Sequence, residues 1–276
     1  MDVCARQPLA HSRKEPMKVL GLGLPRTGTT SLCAALRFLG ICPYHYSEIP
    51  KNLHDRHYQL RLEAVQAKYD HTGRRWNGRE DFDRVLWNYD AVSDDPCCLF
   101  TDQLVAAYPE AKIILTTRTN ASIWLSSMEG FILKILQWRY AYYLLGFFDR
   151  ESTKPSIELL QCTTSVLSGG RCPTSHAGKM AMLDYYEQQI SHVKMAASKS
   201  NRPFLEFRPE IGWKPLCDFL GLPVPMVKYP HMNTSYDAMK GERREDRGRW
   251  KVVAYRMVVP VILTVVISMY TWSQYC

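Results

Sequence analysis

The sequence predicts an α/β protein, a parallel sheet covered by helices on both faces with a C-terminal hydrophobic helix appended. Three observations predict it. Short β-rich apolar runs alternate with helical patterns along most of the chain. A glycine-rich segment joins the first such run to the first helix, the arrangement that turns backbone N–H groups towards an anion. Near the end, Val252 to Trp272 is apolar with a single charge over about 21 residues.

The elements follow in order. Lys18 to Leu22 (KVLGL) is a short strand ending in glycines, and Thr30 to Leu39 is a helix whose face is Leu32, Ala35, Leu36 and Leu39. A helical pattern at about 55–69 shows Leu60, Leu62 and Val65, and Ala91 to Ser93 offers a second strand before a helix at about 97–108. Lys112 to Thr117 (KIILTT) is the clearest strand in the chain. A long helix is expected from about 120 to 146. Glu151 to Gly178, punctuated by Pro155, Gly169, Gly170, Pro173 and Gly178, reads as a loop. Ala181 to Ser198 is helical, Phe204 to Phe207 a strand, and Trp213 to Leu220 a short helix ended by Gly221 and Pro223.

The 276 residues carry 46% hydrophobic and 22% charged side chains, which excludes disordered, collagen-like and low-complexity classes. No linker divides them, so we assign a flexible N-terminus at 1–16, one domain at 17–239, a basic juxtamembrane segment at 240–251 and a candidate transmembrane helix at 252–272. The net charge of +8 comes from dispersed basic residues that cluster only at 240–251, so anionic lipid is a simpler partner than nucleic acid. Nine cysteines form no C-x-x-C pair, which indicates reduced core thiols. The first residues contain no apolar stretch of a secretory signal.

As a helix, 252–272 would reach about 31 Å, the thickness of a bilayer core. Arg256 could snorkel at one end, while Tyr270 and Trp272 mark the other interface. Six basic residues against three acidic in Lys240 to Lys251 would keep that flank cytosolic, giving a single-pass C-terminal membrane anchor with the domain in the cytosol. A buried core helix is the competing account.

The segment from Gly21 to Ser31 (GLGLPRTGTTS) decides the function. A dinucleotide fingerprint fails because Arg26 stands where the third glycine must be. A Walker A loop fails because Thr29 occupies the lysine position, and only Ala91-Val92 precedes Asp94 where a Walker B strand is needed, which opposes an NTPase or kinase. What remains is a loop with a cation at Arg26 and hydroxyls at Thr27, Thr29, Thr30 and Ser31, suited to one 5′-phosphate that bears a transferable group.

PRTGTTSL closely resembles the 5′-phosphosulfate loop of sulfotransferases, and KIILTTRTNASIWLSS is similar to the 3′-phosphate segment of the same family, with Arg118 at the end of a strand and Ser126 eight residues later. CPYHY (42–46), DAVSDDP (90–96) and GWKPLCDFLGLPVP with YPHMN resemble a branch of that family widespread in fungi and other eukaryotes, over roughly 17–235. The resemblance implies a P-loop-type fold and 3′-phosphoadenosine 5′-phosphosulfate (PAPS) as co-substrate. It implies that Pro25, Arg26, Thr27, Gly28, Thr29, Thr30, Ser31, Arg118 and Ser126 bind the nucleotide. It also implies a base at the end of the strand before the 3′-phosphate motif, which makes Asp94 the first choice and Asp95 the second. His45 is the alternative base, and Arg26 would stabilise the leaving group. An N-cap at Asp94-Asp95-Pro96 and a packed core histidine at 45 compete with those roles. Trp124, Trp138, Tyr140, Tyr142 and Tyr143 could line an acceptor pocket or simply be core, and His231 to Asn233 would approach the nucleotide. The acceptor is expected to be a small, apolar hydroxyl or amine compound, possible as a specialised metabolite. The histidines show no ligand spacing, so no metal is expected. A membrane-tethered nucleotide-binding protein without turnover is the rival account.

Overall fold

The structure is a computed structural model that describes residue 13, residues 15–232 and the isolated positions 248, 250, 251, 254, 255 and 264. Five parallel strands form one sheet: β1 (Val19–Gly21), β2 (Pro43–Tyr44), β3 (Ala91–Val92), β4 (Lys112–Thr116) and β5 (Phe204–Phe207), in the order β2-β3-β1-β4-β5. The chain leaves β1 towards β2 on one side and crosses to β4 on the other. The order therefore reverses at β1, and the carboxyl end of β1 is where an open α/β sheet leaves a crevice for ligand.

Both faces of the sheet are largely buried, as expected for parallel strands, with Glu206 of the edge strand β5 exposed. Val19, Ala91, Ile114 and Phe207 point to one side, where α1 (Thr29–Phe38) and α10 (Trp213–Leu220) cover them with Leu32, Leu36 and Leu216. Leu20, Val92, Ile113 and Leu115 point to the other, under α2 (His57–Tyr69), α3 (Arg79–Leu86), α4 (Thr101–Ala107), α5 (Ala121–Gly130) and α9 (His176–Lys199). Each such side chain taken fully out of water contributes roughly 1.5–3 kcal/mol.

The expected elements need correction in three places. The segment read as a loop is largely helix: α8 spans Thr153–Leu167. Its proline sits in the first turn, where no N–H is needed, and Gly169 and Gly170 lie just past its end with φ of +59° and +75°, so these residues mark helix boundaries rather than a loop. The single long helix after β4 is three, α5, α6 (Ile132–Gln137) and α7 (Arg139–Phe148), broken at Phe131 and Trp138. Helix α3 was hidden by its charges; Phe82, Val85 and Leu86 bury a narrow face, and Asp81 accepts from the Gly78 N–H at its start (3.3 Å). Of the terminus assigned at 1–16, residues 1–12 and 14 lie outside the described residues, and the Arg13 guanidinium pairs with Asp83 and lies over the Tyr108 ring.

Among the described residues no helix is long and apolar enough to cross a membrane. Apart from the isolated positions above, segments 240–251 and 252–272 lie outside the described residues. The seven described cysteines are free thiols, four of them buried.

Candidate active site

The carboxyl end of every strand opens onto one cavity of about 500 Å³. After β1 comes the loop from Leu22 to Gly28, and Gly23 presses so closely on β4 that a Cβ there would stand 1.9 Å from Thr116 Oγ1. Thr27 is turned inward: its hydroxyl donates to the Leu24 carbonyl (2.6 Å) and lies 2.6 Å from Thr116 Oγ1. Thr27 therefore braces the loop and does not line the cavity, which corrects its assignment as a ligand through its side chain. Gly28, at φ +99°, caps α1 against Pro209; a Cβ would lie 2.4 Å from the Pro209 Cγ, so only glycine suits the position. The first turn of α1, Thr29 to Ser31, faces the cavity with N–H groups that have no intrahelical acceptor.

Pro25, Arg26, Gly28, Thr29, Thr30, Ser31 and Arg118 line this end of the cavity together. Arg26 is 8% exposed, takes φ +69°, donates through Nε to Ser127 Oγ (3.3 Å) and lies over the Phe131 ring. Burial depresses its pKa, with Asp94 opposing and Arg118 adding to the effect, so an incoming anion relieves the strain of two neighbouring cations. Arg118 follows β4. Its Nε donates to the Arg26 carbonyl (2.9 Å) and one terminal nitrogen pairs with Glu210 (3.2 Å), which ties the loops after β1, β4 and β5 into one wall. Ser31 accepts from the Met232 N–H (2.9 Å), so the late 231–232 segment does reach the site, while Asn233 lies outside the described residues. Ser126 is exposed on α5 and is not among the lining residues.

The two competing bases are one pair. His45, just after β2, accepts the Ser47 N–H at Nδ1 (3.1 Å), which leaves the ring proton on Nε2, 3.0 Å from Asp94 Oδ2. Asp94 follows β3 at φ +71°, and its Oδ1 is buried without a hydrogen-bond partner. It does not cap a helix with its side chain: the 3-10 turn Cys97–Phe100 has no side-chain cap, so the N-cap account fails. Nor is His45 an apolar core histidine, since it lines the cavity with hydrogen bonds at both nitrogens. Asp95 also lines the cavity and accepts from Thr163 Oγ1 of α8 (3.1 Å), another lining residue. Burial, then the charge of Asp94, pushes its pKa up to about 8 against the pull of Thr163 and Arg61.

Beyond the dyad the cavity turns apolar, lined by Met128, Phe131, Ile132, Ile135, Ile157, Leu160 and Leu167. Of the aromatic candidates only Tyr142 joins it. Trp124 is core, stacked on Tyr186 and donating to the Pro25 carbonyl (2.8 Å), while Trp138, Tyr140 and Tyr143 face outward. The α8 wall was missed from sequence, although Ile157, Leu160, Thr164 and Leu167 have helical spacing that glycine and proline obscured. Among the described residues no group of three or more His, Cys, Asp or Glu side chains could hold a metal.

The parallel sheet thus carries a glycine loop and a helix N-terminus at its reversal point, and these open into a cavity that is apolar at its far end. Residues 18–238 match the family model described as "Sulfotransferase domain". The chain is also 39% identical over 240 residues to "Ava biosynthesis cluster protein M" of Aspergillus versicolor, covering 87% of this chain and 90% of that one. The chain belongs to the sulfotransferase family, and its fold is that of a transferase.

Proposed function

We propose that the protein transfers the sulfuryl group of PAPS to a hydroxyl or amine of a small, largely apolar acceptor. The observation that carries this reading is a single cavity in which the Arg26 loop, the His45–Asp94 pair and the apolar chamber meet in that order. The residues suit the donor: first-turn N–H groups, Arg26 and the hydroxyls of Thr29 and Thr30 for the 5′-phosphosulfate, and Arg118 for the 3′-phosphate.

In the transfer, the acceptor oxygen forms a bond to sulfur as the bond from sulfur to the 5′-phosphate oxygen breaks. The acceptor's proton passes to Asp94, whose Oδ1 has no partner, while the His45 Nε2–H holds Oδ2 in place. His45 is not itself the base in this arrangement because the Ser47 N–H occupies its Nδ1 lone pair. Arg26 supports the charge that grows on the departing phosphate. The chamber excludes water and positions the acceptor, which limits hydrolysis of the donor. A specialised metabolite as acceptor is supported by the name of the relative, which assigns that protein to a biosynthesis cluster. Residues 252–272 would hold the domain on the cytosolic face of a membrane.

Calorimetric titration with 3′,5′-adenosine bisphosphate and with ATP tests the reading. Micromolar affinity for the bisphosphate with much weaker ATP binding is expected. Preference for ATP, or binding of neither, would overturn it.

A further inference from the structure

Helix α7 is unusual in being apolar on both sides. Its inner residues Tyr142, Leu145 and Gly146 are buried, yet Tyr140, Tyr143, Leu144 and Phe147 are 72%, 44%, 54% and 64% exposed. Their spacing of i, i+3, i+4 and i+7 makes one continuous outward stripe, and Trp138, 68% exposed, extends it. A patch of this kind on a soluble domain marks a contact surface.

Its chemistry selects the partner. The stripe is aromatic, with the polar tips of Trp and Tyr that sit at the headgroup level of a bilayer. Basic residues bracket it: the Arg139 guanidinium lies 4.7 Å over the Tyr140 ring and that of Arg150 5.7 Å over Phe147, with exposed Lys134 one turn before. The only acid between Phe131 and Arg150 is Asp149, and its carboxylate is taken up by the N–H groups of Ser152 and Thr153 and the Thr153 hydroxyl. Glu151 stands just beyond the end of the stripe. Apolar rings flanked by cations, with the local acid turned inward, are what an in-plane helix presents to anionic lipid. The position agrees. Tyr142 of α7 lines the cavity, so the stripe is carried by a cavity wall. Residues 233–247, at roughly 3.3 Å each, could span up to about 50 Å, ample for this face to meet a membrane that the end of the chain enters.

We propose that the outward face of α7 (Trp138, Tyr140, Tyr143, Leu144 and Phe147, with Arg139 and Arg150) seats the domain on an anionic lipid surface. An apolar acceptor dissolved in that surface then has a short route through the α7 wall region into the chamber. The inference stands apart from the identity of the donor, and its test is read at the stripe and so separates it from the tail anchor.

Hydroxyl-radical footprinting of the full chain, alone, with phosphatidylcholine vesicles and with vesicles containing 30 mol% phosphatidylserine (about one lipid in three), reads the stripe directly. Labelling of Trp138, Tyr140 and Phe147 should fall at least about threefold with the anionic vesicles only, while exposed Met195 of α9 serves as the reference. In Arg139→Ala/Arg150→Ala most of the labelling should return. Unchanged labelling at the stripe would overturn the proposal even if the chain floats with the vesicles, which would leave the tail anchor standing alone. Labelling that is low without vesicles, with a doubled mass by light scattering, would assign the stripe to a second copy and also overturn it.

Discussion

In the proposed transfer, Arg26 would support the leaving phosphate and Asp94 would take the proton of the incoming hydroxyl, and both side chains line the same cavity. Their substitutions should therefore separate. Arg26→Ala should lower kcat/KM by about 100- to 1000-fold and weaken bisphosphate binding, because a preorganised donor at the developing charge is lost. Asp94→Asn should lower kcat by about 100-fold or more with bisphosphate affinity unchanged, since only proton removal suffers. Steady-state kinetics with calorimetry distinguishes them, and full activity of either variant would remove its role. Asp95 makes a different prediction. Its folded-state pKa of about 8 lies above the ordinary carboxyl value, so the unfolded chain releases this proton first as the pH rises. Its contribution should thus destabilise the protein progressively between about pH 4 and pH 8 and level off above that. Asp95→Asn removes the titration while keeping a side chain that can accept from Thr163, so the variant should gain in Tm relative to the wild type at pH 8 more than at pH 5. Equal differences at both values would show that Asp95 is already ionised in the native protein.

At the scale of elements, the two functions of the site reside on different structures. Loops at the strand ends hold the charged half, where the sheet fixes them in register, and helices α5, α6 and α8 supply the apolar half. The halves should be separable by a single bulky change in α8. Leu160→Trp is expected to leave bisphosphate affinity within about twofold while reducing turnover at least about tenfold, because it fills the chamber and not the phosphate loop. Loss of nucleotide binding in that variant would mean that the halves are coupled. The two elements at which sequence and structure disagree most, α7 and α8, pack against each other and wall the acceptor side. Their glycines and proline are helix stops and starts, and only the neighbouring helices that bury Ile157, Leu159 and Leu167 show that the stretch between them is helical.

For the whole molecule, helices lying between residues 29 and 220 cover both faces of the sheet. Deleting 252–276 should therefore give a soluble chain with unaltered bisphosphate affinity, checked by sedimentation and calorimetry. An insoluble or unfolded product would instead make that segment part of the core.

The sequence by itself determined the sheet's clearest strands, the phosphate loop with Arg26, the strand-end Arg118 and the family. Each of these is written in neighbouring residues: a strand, a glycine turn and a helix start that the backbone geometry forces together within about a dozen positions. Tertiary structure alone decided the rest. It joined His45 to Asp94, which stand at the ends of different strands and meet only because β2 and β3 are paired. It withdrew Thr27 into a bond with Thr116, left Ser126 on the surface, and made helix α8 out of most of the stretch expected as a loop at 151–178, where it walls the apolar chamber. The physical reason is the same in each case: a local pattern sets what a residue can do, whereas the partner that uses it arrives from far along the chain and is chosen by packing.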